Sequence, residues 1–325
     1  MYCNEPQNAT NTNNTNTVEA LTAVSCSLSI LGACVIFLSY IVIPEIRNPT
    51  RKLVTWLTVA DLLQPFGYLS AIVAEKVGHA TSGDVNNQFC TLQSAVTSYA
   101  SLVSFFLTTA IALHLFRAVN KRGCISNSVF IISANIVSWG IPAVIIYVAL
   151  SENMLGREQD DSQTFGTGPW CWVKCDSGKT SKSLLYMLLT GKAFEIQCYI
   201  YTATLYCLLK WKMYIARRFR SLNEVNPDLR DDDKNFLFVW LMLLSIRIWG
   251  TIRFLMRAIP EDYSKVSPNM TAVDNVFVYM QAAGDPAQAF CNFILFCLLD
   301  NEVRVKLKRF VFCRASQYEN VDAIR

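Results

Sequence analysis

Residues 18–43 read VEALTAVSCSLSILGACVIFLSYIVI, an apolar run in which Glu19 is the only charged residue. A helix that rises ~1.5 Å per residue needs roughly 20 residues to cross a hydrocarbon layer of ~30 Å, and this run is longer than that. Inside lipid the backbone amides find no water, so only a helix satisfies all of them within one segment. The run therefore predicts a membrane-spanning helix.

Six further stretches of the same kind follow along the chain, each separated from the next by a polar loop. They cover residues 53–74, 89–117, 129–150, 184–209, 236–259 and 272–299. We therefore predict an all-α membrane protein, a seven-transmembrane helix bundle over residues 18–299. Residues 1–17, rich in Asn and Thr, are expected to form an extracellular segment, and residues 300–325 a short amphipathic helix eight with a cytosolic tail.

The distribution of Lys and Arg predicts the orientation. Most of the 29 basic residues fall in the loops after the first, third and fifth stretches and in the C-terminal segment. Loops rich in Lys and Arg stay in the cytosol, so the N-terminus is expected outside. The three Asn-X-Ser/Thr sequons, at Asn8, Asn13 and Asn269, all fall on the outer side, where N-glycosylation takes place. The chain is thus predicted to be a multi-pass glycoprotein of the plasma membrane.

Four of the twelve cysteines are expected on the oxidising outer side: Cys3, Cys90, Cys171 and Cys175. Cys90 opens the third span, and Cys171 lies in the long loop before the fifth. A disulfide between these two would tie that loop to the helices, with Cys90 to Cys175 as the competing pairing, because connectivity cannot be deduced from sequence alone.

The intramembrane residues exclude several classes of seven-helix protein. A retinal-binding protein needs a Schiff-base lysine in its last span, and residues 272–299 contain no Lys. A membrane-embedded zinc hydrolase needs about three His or carboxylate ligands in one cavity, whereas His79 and His114 lie at opposite ends of their spans. We expect no metal, no cofactor and no enzymatic activity. A receptor remains, with a transporter or channel that uses the intramembrane charges as a pathway as the alternative.

Several motifs resemble those of known receptors. From Ala287 the chain reads AQAFCNFILFCLLDNEV, which is similar to the end of the last span of secretin- and adhesion-type receptors, as are SWGIP at 138–142 and the pair Cys171-Trp172. Three further stretches resemble the orphan G-protein-coupled receptor 157 family and, more remotely, the slime-mould cyclic-AMP receptors. They are LTVADLL at 57–63, MLLTGKAFE at 187–195 and IRIWGTIRF at 246–254.

The resemblance implies a receptor that transmits an extracellular signal to a heterotrimeric G protein, with the ciliary membrane as a further candidate location. The chain departs from the secretin and adhesion classes in its outer segment, where 17 residues stand in place of a large ectodomain. The implied ligand is therefore small rather than a hormone captured by an ectodomain. Ala289 also replaces the glycine that those receptors usually carry in the last span.

Charged side chains inside the spans give two hypotheses about the site. Ionisable groups at bilayer depth cost ~3 kcal/mol each, so they usually have partners or line a watery cavity. At ~1.5 Å per residue, Glu195 and Arg247 both lie roughly 17 to 18 Å below the outer ends of their spans. The first hypothesis pairs these two residues in an ion pair that locks the fifth and sixth spans at rest. Lys192 and Glu195, spaced by three, could alternatively pair on one helix face.

The second hypothesis, compatible with the first, is a ligand pocket. Lys192 and Arg253, with Asp274 or Asp285 opposite, would line a pocket for a small extracellular ligand with a preference for anions. Asp61, in the inner half of the second span, is expected to belong to a buried hydrogen-bonded network rather than to contact the ligand.

Basic residues at the cytosolic ends of the third and fifth spans predict the G-protein-facing surface. The residues expected there are His114, Arg117, Lys121, Arg122, Arg217 and Arg218. The net charge of +4 is concentrated on this side, which suits anionic lipids or a cytosolic partner and gives no reason to expect nucleic acid.

Helix eight is expected over residues 301–313. Its apolar positions share one face that would lie on the inner leaflet, and basic residues surround that face. The apolar positions are Val303, Leu307, Phe310 and Val311. Cys313 at its end is a candidate palmitoylation site, with an unmodified thiol as the alternative.

Overall fold

The computed structural model describes residues 12–78, 83–120, 126–156, 170–174, 180–219, 242, 244–256, 268–300 and 303–307. The first four helices are α1 (Thr12–Val42), α2 (Pro49–Gly78), α3 (Gly83–Asn120) and α4 (Asn127–Ser151). Helix α1 begins at Thr12 rather than at Val18, so part of the Asn- and Thr-rich segment is helical. An established helix propagates into polar residues at little cost, because nucleation is the unfavourable step.

The remaining helices are less regular. Helix α5 runs as Thr180–Met187, a π-helical turn at Leu188–Lys192 and Ala193–Phe219. Helix α6 covers residues 244–256. Helix α7 runs as Pro268–Gly284, a 3₁₀ turn at Asp285–Ala287, Gln288–Phe293 and a second π turn at Ile294–Leu298.

Each of the seven predicted stretches contains helix where the chain is described. Among the described residues, four helical segments are long and apolar enough to cross a membrane: Asn16–Val42, Pro49–Ala74, Gln88–Arg117 and Asn127–Ser151. The outer surface of α4 is apolar and exposed, with Val144 63% and Tyr147 72% exposed. Exposed side chains of this kind suit contact with lipid rather than with water.

Helix α3 is the centre of the packing. It contacts α2 on one side and α4 and α5 on the other, while α1 packs against α2 and α7. Leu53 of α2, Leu107 and Ile111 of α3 and Phe130 of α4 form one buried apolar cluster. A second cluster joins α3, α4 and α5 nearer the other end of the helices, around Leu102.

The two strands in the described residues form a small hairpin between α4 and α5. Strand β1 (Leu155–Gly156) pairs antiparallel with β2 (Trp172–Val173), with Leu155 opposite Val173. The predicted disulfide between Cys90 and Cys171 is confirmed, with the two Cα atoms 5.5 Å apart. The competing Cys90 to Cys175 pairing is therefore wrong. The disulfide fixes the hairpin over the start of α3.

The break in α7 is stabilised by serines of α1. Pro286 has no N–H to donate, so the helical hydrogen bonding is interrupted around it. The Ser29 hydroxyl donates to the Pro286 carbonyl at 2.5 Å and accepts from the Phe290 N–H at 3.3 Å. The Ser25 hydroxyl donates to the Ala283 carbonyl at 2.6 Å. These three bonds satisfy two backbone carbonyls and one backbone N–H around the 3₁₀ turn of α7.

At the other end of α7, an ion pair connects it to the start of α2. Arg51 pairs with Asp300, and its Nη1 donates to the Phe296 carbonyl at 2.5 Å. The Asp300 side chain also accepts from the backbone N–H of Val303, at the start of the helical residues 303–307. Val303 is fully buried in an apolar cluster with the C-terminal ends of α1 and α7. This is the only part of the predicted helix eight among the described residues.

Helices α6 and α7 approach each other closely at Gly284. A Cβ atom added there would lie 1.9 Å from the carbonyl oxygen of Ile246, which is backbone and cannot move aside alone. A Cβ added at Gly140 in α4 would meet no atom within 4 Å. The first position therefore requires glycine for packing, while the second does not.

We expect Gly284→Ala to lower the free energy of unfolding by ~1 to 3 kcal/mol or more, because α6 must move away from α7. Gly140→Ala is the matched control, since it gains the same intrinsic helix propensity of ~0.5 to 1 kcal/mol without a clash. The thermal unfolding midpoints of the purified proteins in detergent measure both effects. Equal midpoints for the two variants would contradict the close approach.

Candidate functional site

A cavity opens among α2, α3, α5, α6 and α7, beneath the disulfide-bonded hairpin. Its wall holds three basic and two acidic side chains, together with aromatic and small polar residues. The residues that line it are Tyr68, Thr97, Ser98, Ser101, Phe105, Trp170, Cys171, Trp172, Thr190, Gly191, Lys192, Glu195, Arg247, Gly250, Arg253, Phe254, Gln281 and Asp285.

Lys192 and Glu195 pair with each other on α5. The Lys192 ammonium donates to Glu195 Oε2 at 2.7 Å, and both side chains are almost fully buried. Glu195 Oε1 accepts two more hydrogen bonds, from the Tyr199 hydroxyl at 2.7 Å and from the Thr251 hydroxyl of α6 at 3.0 Å. The carboxylate therefore connects α5 to α6 through a hydroxyl group.

The predicted ion pair between Glu195 and Arg247 is wrong. Matching depth in the helices does not bring the two charges together, because Glu195 is already saturated by Lys192 and by two hydroxyl groups. The alternative pairing on α5 is the one present. Both of its members nevertheless line the cavity rather than point away from it.

Arg247 of α6 binds neutral amides instead of a carboxylate. Its Nε donates to Gln288 Oε1 of α7 at 2.7 Å, and its Nη2 donates to Gln64 Oε1 of α2 at 2.6 Å. The guanidinium carbon lies 4.9 Å from the ring centroid of Phe105 on α3, within range of a cation–π interaction. Gln288 Nε2 in turn donates to the Ser104 hydroxyl of α3 at 2.6 Å, which extends the network to that helix. One buried guanidinium thus connects α2, α3, α6 and α7.

A second chain of polar contacts runs between α6 and α7. Arg253 Nε donates to Asp274 Oδ1 at 2.8 Å, and Arg253 Nη1 donates to Gln281 Oε1 at 2.7 Å. The other end of that amide, Gln281 Nε2, donates to Asp285 Oδ2 at 3.0 Å. Asp274 thus pairs with Arg253 but does not line the cavity, whereas Asp285 does line it.

The polar network continues below the cavity. Asn292 of α7 donates to Asp61 Oδ2 of α2 at 2.6 Å, and both residues are buried. Two buried atoms, Asp61 Oδ1 and Gln64 Nε2, have no hydrogen-bond partner. Asp61 therefore contributes to a hydrogen-bonded network between α2 and α7, one helical turn from Gln64.

Aromatic side chains close the cavity on the side of the hairpin. The ring of Trp170 packs at a tilt against Tyr68 of α2, with ring centroids 4.7 Å apart. The backbone N–H of Cys171 donates to Gln93 Oε1 of α3 at 3.0 Å, so the hairpin is held by a hydrogen bond as well as by the disulfide. The Trp172 ring packs beside Gly191 in the π turn, where an added Cβ would meet it at 3.6 Å, an ordinary van der Waals contact. The lid is thus built from two tryptophans.

The cavity has a volume of about 80 Å³. That is room for roughly five to eight waters at ~10 to 15 Å³ each, or for a ligand of comparable size. Among the described residues, no group of three His, Cys, Asp or Glu side chains is arranged to hold a metal ion. The arrangement suits recognition of a small polar molecule.

Other predicted residues lie at the opposite end or outside the described residues. His114 contacts Thr50 at 3.4 Å and stacks on Phe130, whose ring also lies 4.5 Å from the Arg117 guanidinium. Arg217 and Arg218 lie on the last turns of α5, but their side chains are outside the described part. The same holds for the side chains of Asn13 and Asn269, and for all atoms of Asn8, Lys121, Arg122 and Cys313.

The sequence reasoning missed the glutamines. Gln64, Gln281 and Gln288 fix the orientation of every charged group in the centre of the site other than Lys192 and Glu195. Their signal was present in the sequence as uncharged amides at membrane depth, where a buried polar group requires a partner. Attention to the ionisable residues alone left them out.

Comparison with known proteins gives this arrangement a family context. The family described as "7 transmembrane receptor (Secretin family)" matches residues 15–254. The "G-protein coupled receptor 157" of Mus musculus is 29% identical over 307 residues, 90% of this chain and 86% of the relative. The Homo sapiens protein of the same name is 28% identical over 89% of this chain and 82% of its own length. The "Adhesion G-protein coupled receptor G2" of Mus musculus is 24% identical over 90% of this chain but 26% of its own length.

We expect Lys192→Met or Glu195→Gln alone to destabilise the protein by ~3 to 5 kcal/mol, because each leaves one buried charge without its partner. The double variant should lose much less than the sum, since no unpaired charge is left. Unfolding midpoints of the four proteins in a double-mutant cycle measure this coupling.

The control for this cycle is the pair Lys182 and Glu152, which has the same 2.7 Å separation but is 39% and 48% exposed. Its hydrogen bond lowers the pKa of the Glu152 carboxyl, yet water screens the charges. Lys182→Met and Glu152→Gln should change the midpoint little and additively. Additive effects at Lys192 and Glu195 as well would show that burial gives that pair no special coupling.

Proposed function

The chain belongs to the secretin family of seven-transmembrane receptors, and on that premise we propose that it is a cell-surface receptor that activates a heterotrimeric G protein. The family and the apolar helices support a membrane protein with a receptor role. The names of the relatives describe G-protein coupling, which we extend to this chain. A small extracellular molecule in the cavity would be the input, and nucleotide exchange on the α subunit the output.

The proposed topology is a full bundle of seven spans over residues 18–299, with the N-terminus outside the plasma membrane. Residues 1–17 would carry glycans at Asn8 and Asn13, and Asn269 would be glycosylated on the same side. The disulfide supports this orientation, because such bonds form in an oxidising environment and this one joins the predicted outer end of α3 to the hairpin. The ciliary membrane is a specific case of the same location.

The cytosolic side would hold the α subunit. Arg117 and His114 lie near the inner end of α3, and the basic end of α5 carries Arg217 and Arg218. Lys121 and Arg122 would extend this surface. Residues 300–325 would form helix eight and a tail, with the buried Val303 as its first apolar contact, and with membrane lipids and a palmitate on Cys313 as further anchors.

The observation that carries the proposal is the Arg247 network. Arg247 lines the cavity and at the same time holds α6 to α2 and α7 through Gln64 and Gln288. A ligand that interacts with Arg247 changes the balance of these bonds. Because helix shifts are a common form of receptor switching, a change in the bonds that hold α6 would reach the cytosolic ends of the helices.

The alternative is a transporter or channel that uses the intramembrane charges as a pathway. Two of the three basic side chains in the cavity wall are neutralised by carboxylates, which favours a closed binding site over a conducting path. The deciding experiment measures nucleotide exchange on purified α subunits alongside ionic current and solute flux, with the receptor in lipid. Exchange without flux supports the receptor, and flux without exchange supports the alternative.

We expect Arg247→Gln to raise basal nucleotide exchange by about five-fold or more, the lower range of coupling between two receptor states. The variant frees α6 from the two hydrogen bonds that the guanidinium donates, to Gln288 of α7 and to Gln64 of α2. Exchange by the purified variant in lipid, normalised to folded protein, measures the effect.

Arg47→Gln is the matched control. Within the described residues, Arg47 donates to the carbonyls of Tyr40 and Ile41 of α1, and its guanidinium carbon lies 5.6 Å from the ring centroid of Tyr40. Its loss removes a positive charge without releasing α6, so basal exchange should stay at the wild-type rate. Unchanged exchange in Arg247→Gln, in protein that is folded, would mean that this network does not hold the resting state.

A further inference from the structure

Two charged side chains of the cavity wall have no ion-pair partner in the part of the chain that the structure describes. Lys192 is neutralised by Glu195 at 2.7 Å, and Arg253 by Asp274 at 2.8 Å. Arg247 and Asp285 are the two charged groups left in the described wall. Within the described residues, neither forms an ion pair with an oppositely charged side chain. The wall therefore presents one basic and one acidic group, and not an excess of positive charge.

Both of these groups are held in place by amides. Arg247 donates from Nε and Nη2 to Gln288 and Gln64, and its Nη1 has no acceptor among the described residues. Asp285 accepts at Oδ2 from Gln281, and its Oδ1 accepts from no described residue. Arg247 is 4% exposed and Asp285 8% exposed. Buried charges that are bonded only to neutral groups gain most from an opposite charge, because water can no longer screen or solvate them.

We propose that the cavity binds a small zwitterion, whose carboxylate pairs with Arg247 and whose ammonium pairs with Asp285. The inference rests on the proposed function only in taking this cavity as the ligand site. It replaces the preference for anions that the count of basic residues had suggested. A simple acid would satisfy Arg247 and leave Asp285 unpaired, and a simple amine would do the reverse. A molecule with both charges satisfies the two groups at once.

The rest of the wall suits a small ligand. The cavity volume of about 80 Å³ corresponds to roughly five to eight waters, and the cavity is partly open, so a ligand of at least that many non-hydrogen atoms fits. Tyr68, Phe105 and Phe254 line the same space and would contact its carbon atoms. The ligand class is therefore amino acids and related compounds with one amine and one carboxylate.

The test uses the purified full-length protein in lipid nanodiscs and its thermal unfolding midpoint. The probes are glycine, 3-aminopropanoate, 4-aminobutanoate and 5-aminopentanoate, which increase the distance between the two charges. Each is compared with the acid and the amine of the same chain length. We expect at least one amino acid to raise the midpoint by ~2 to 4 °C at about ten times its Kd, and its acid and amine to raise it much less.

Two variants remove the preference for the amino acid over one of the matched compounds if the assignment of charges is correct. Asp285→Asn should bind the acid as well as the amino acid, and Arg247→Gln should bind the amine as well as the amino acid. Stabilisation of the wild-type protein by none of the four amino acids, or equally by the matched acid, would overturn the proposal. The wild-type series decides the question even if a variant does not fold.

Nucleotide exchange measured on the same samples separates this inference from the proposed function. An amino acid that raises the midpoint without any exchange would support the zwitterion site and count against G-protein activation. Exchange by a protein whose midpoint no amino acid raises would support the receptor function and reject the zwitterion.

Discussion

The guanidinium of Arg247 is the interaction on which the centre of this molecule depends. A permanent positive charge is buried among helices in a region where water is scarce, and it is balanced by amide dipoles and an aromatic face instead of a carboxylate. Such a group can be retained only if its surroundings are fixed, because each lost hydrogen bond leaves a desolvated charge. The positions of Gln64 on α2 and Gln288 on α7 are therefore set by the same residue. The close approach of α6 to α7 at Gly284 is compatible with this requirement, since it brings both helices within reach of one side chain.

The elements that depend on long runs of apolar residues could be predicted from the sequence. Helices α1 to α4 follow the hydropathy pattern, and the Cys90–Cys171 disulfide is one of the two pairings that the positions of the cysteines allowed. Irregular backbone could not be predicted in this way. The π turn at Leu188–Lys192 and the hairpin at Leu155–Gly156 depend on tertiary contacts that leave no periodic signal.

The charged residues of the site could be identified, but not their partners. The sequence pointed to Lys192, Glu195, Arg247 and Arg253, and all four line one cavity. Depth along a helix gives one coordinate, whereas pairing also depends on rotation about the helix axis and on the competing neighbours. Glu195 illustrates this, because its local partner three residues earlier lies on the same helix and needs no long-range alignment. The amides that bind Arg247 are uncharged, so a search for ionisable groups does not find them.

The π turn in α5 has a consequence for how the outer and inner parts of this helix are related. A π turn holds one residue more than an α-helical turn, and so it rotates everything that follows by ~100° relative to a regular helix. Because of this rotation, Thr180–Met187 can pack against strand β2 of the hairpin while Ala193–Phe219 packs against α3. Loss of a single residue within this turn would restore a regular helix without necessarily unfolding it. The part of α5 after the turn would then be rotated about the helix axis relative to the part before it. The Glu195 carboxylate would no longer face the cavity that Trp172 covers.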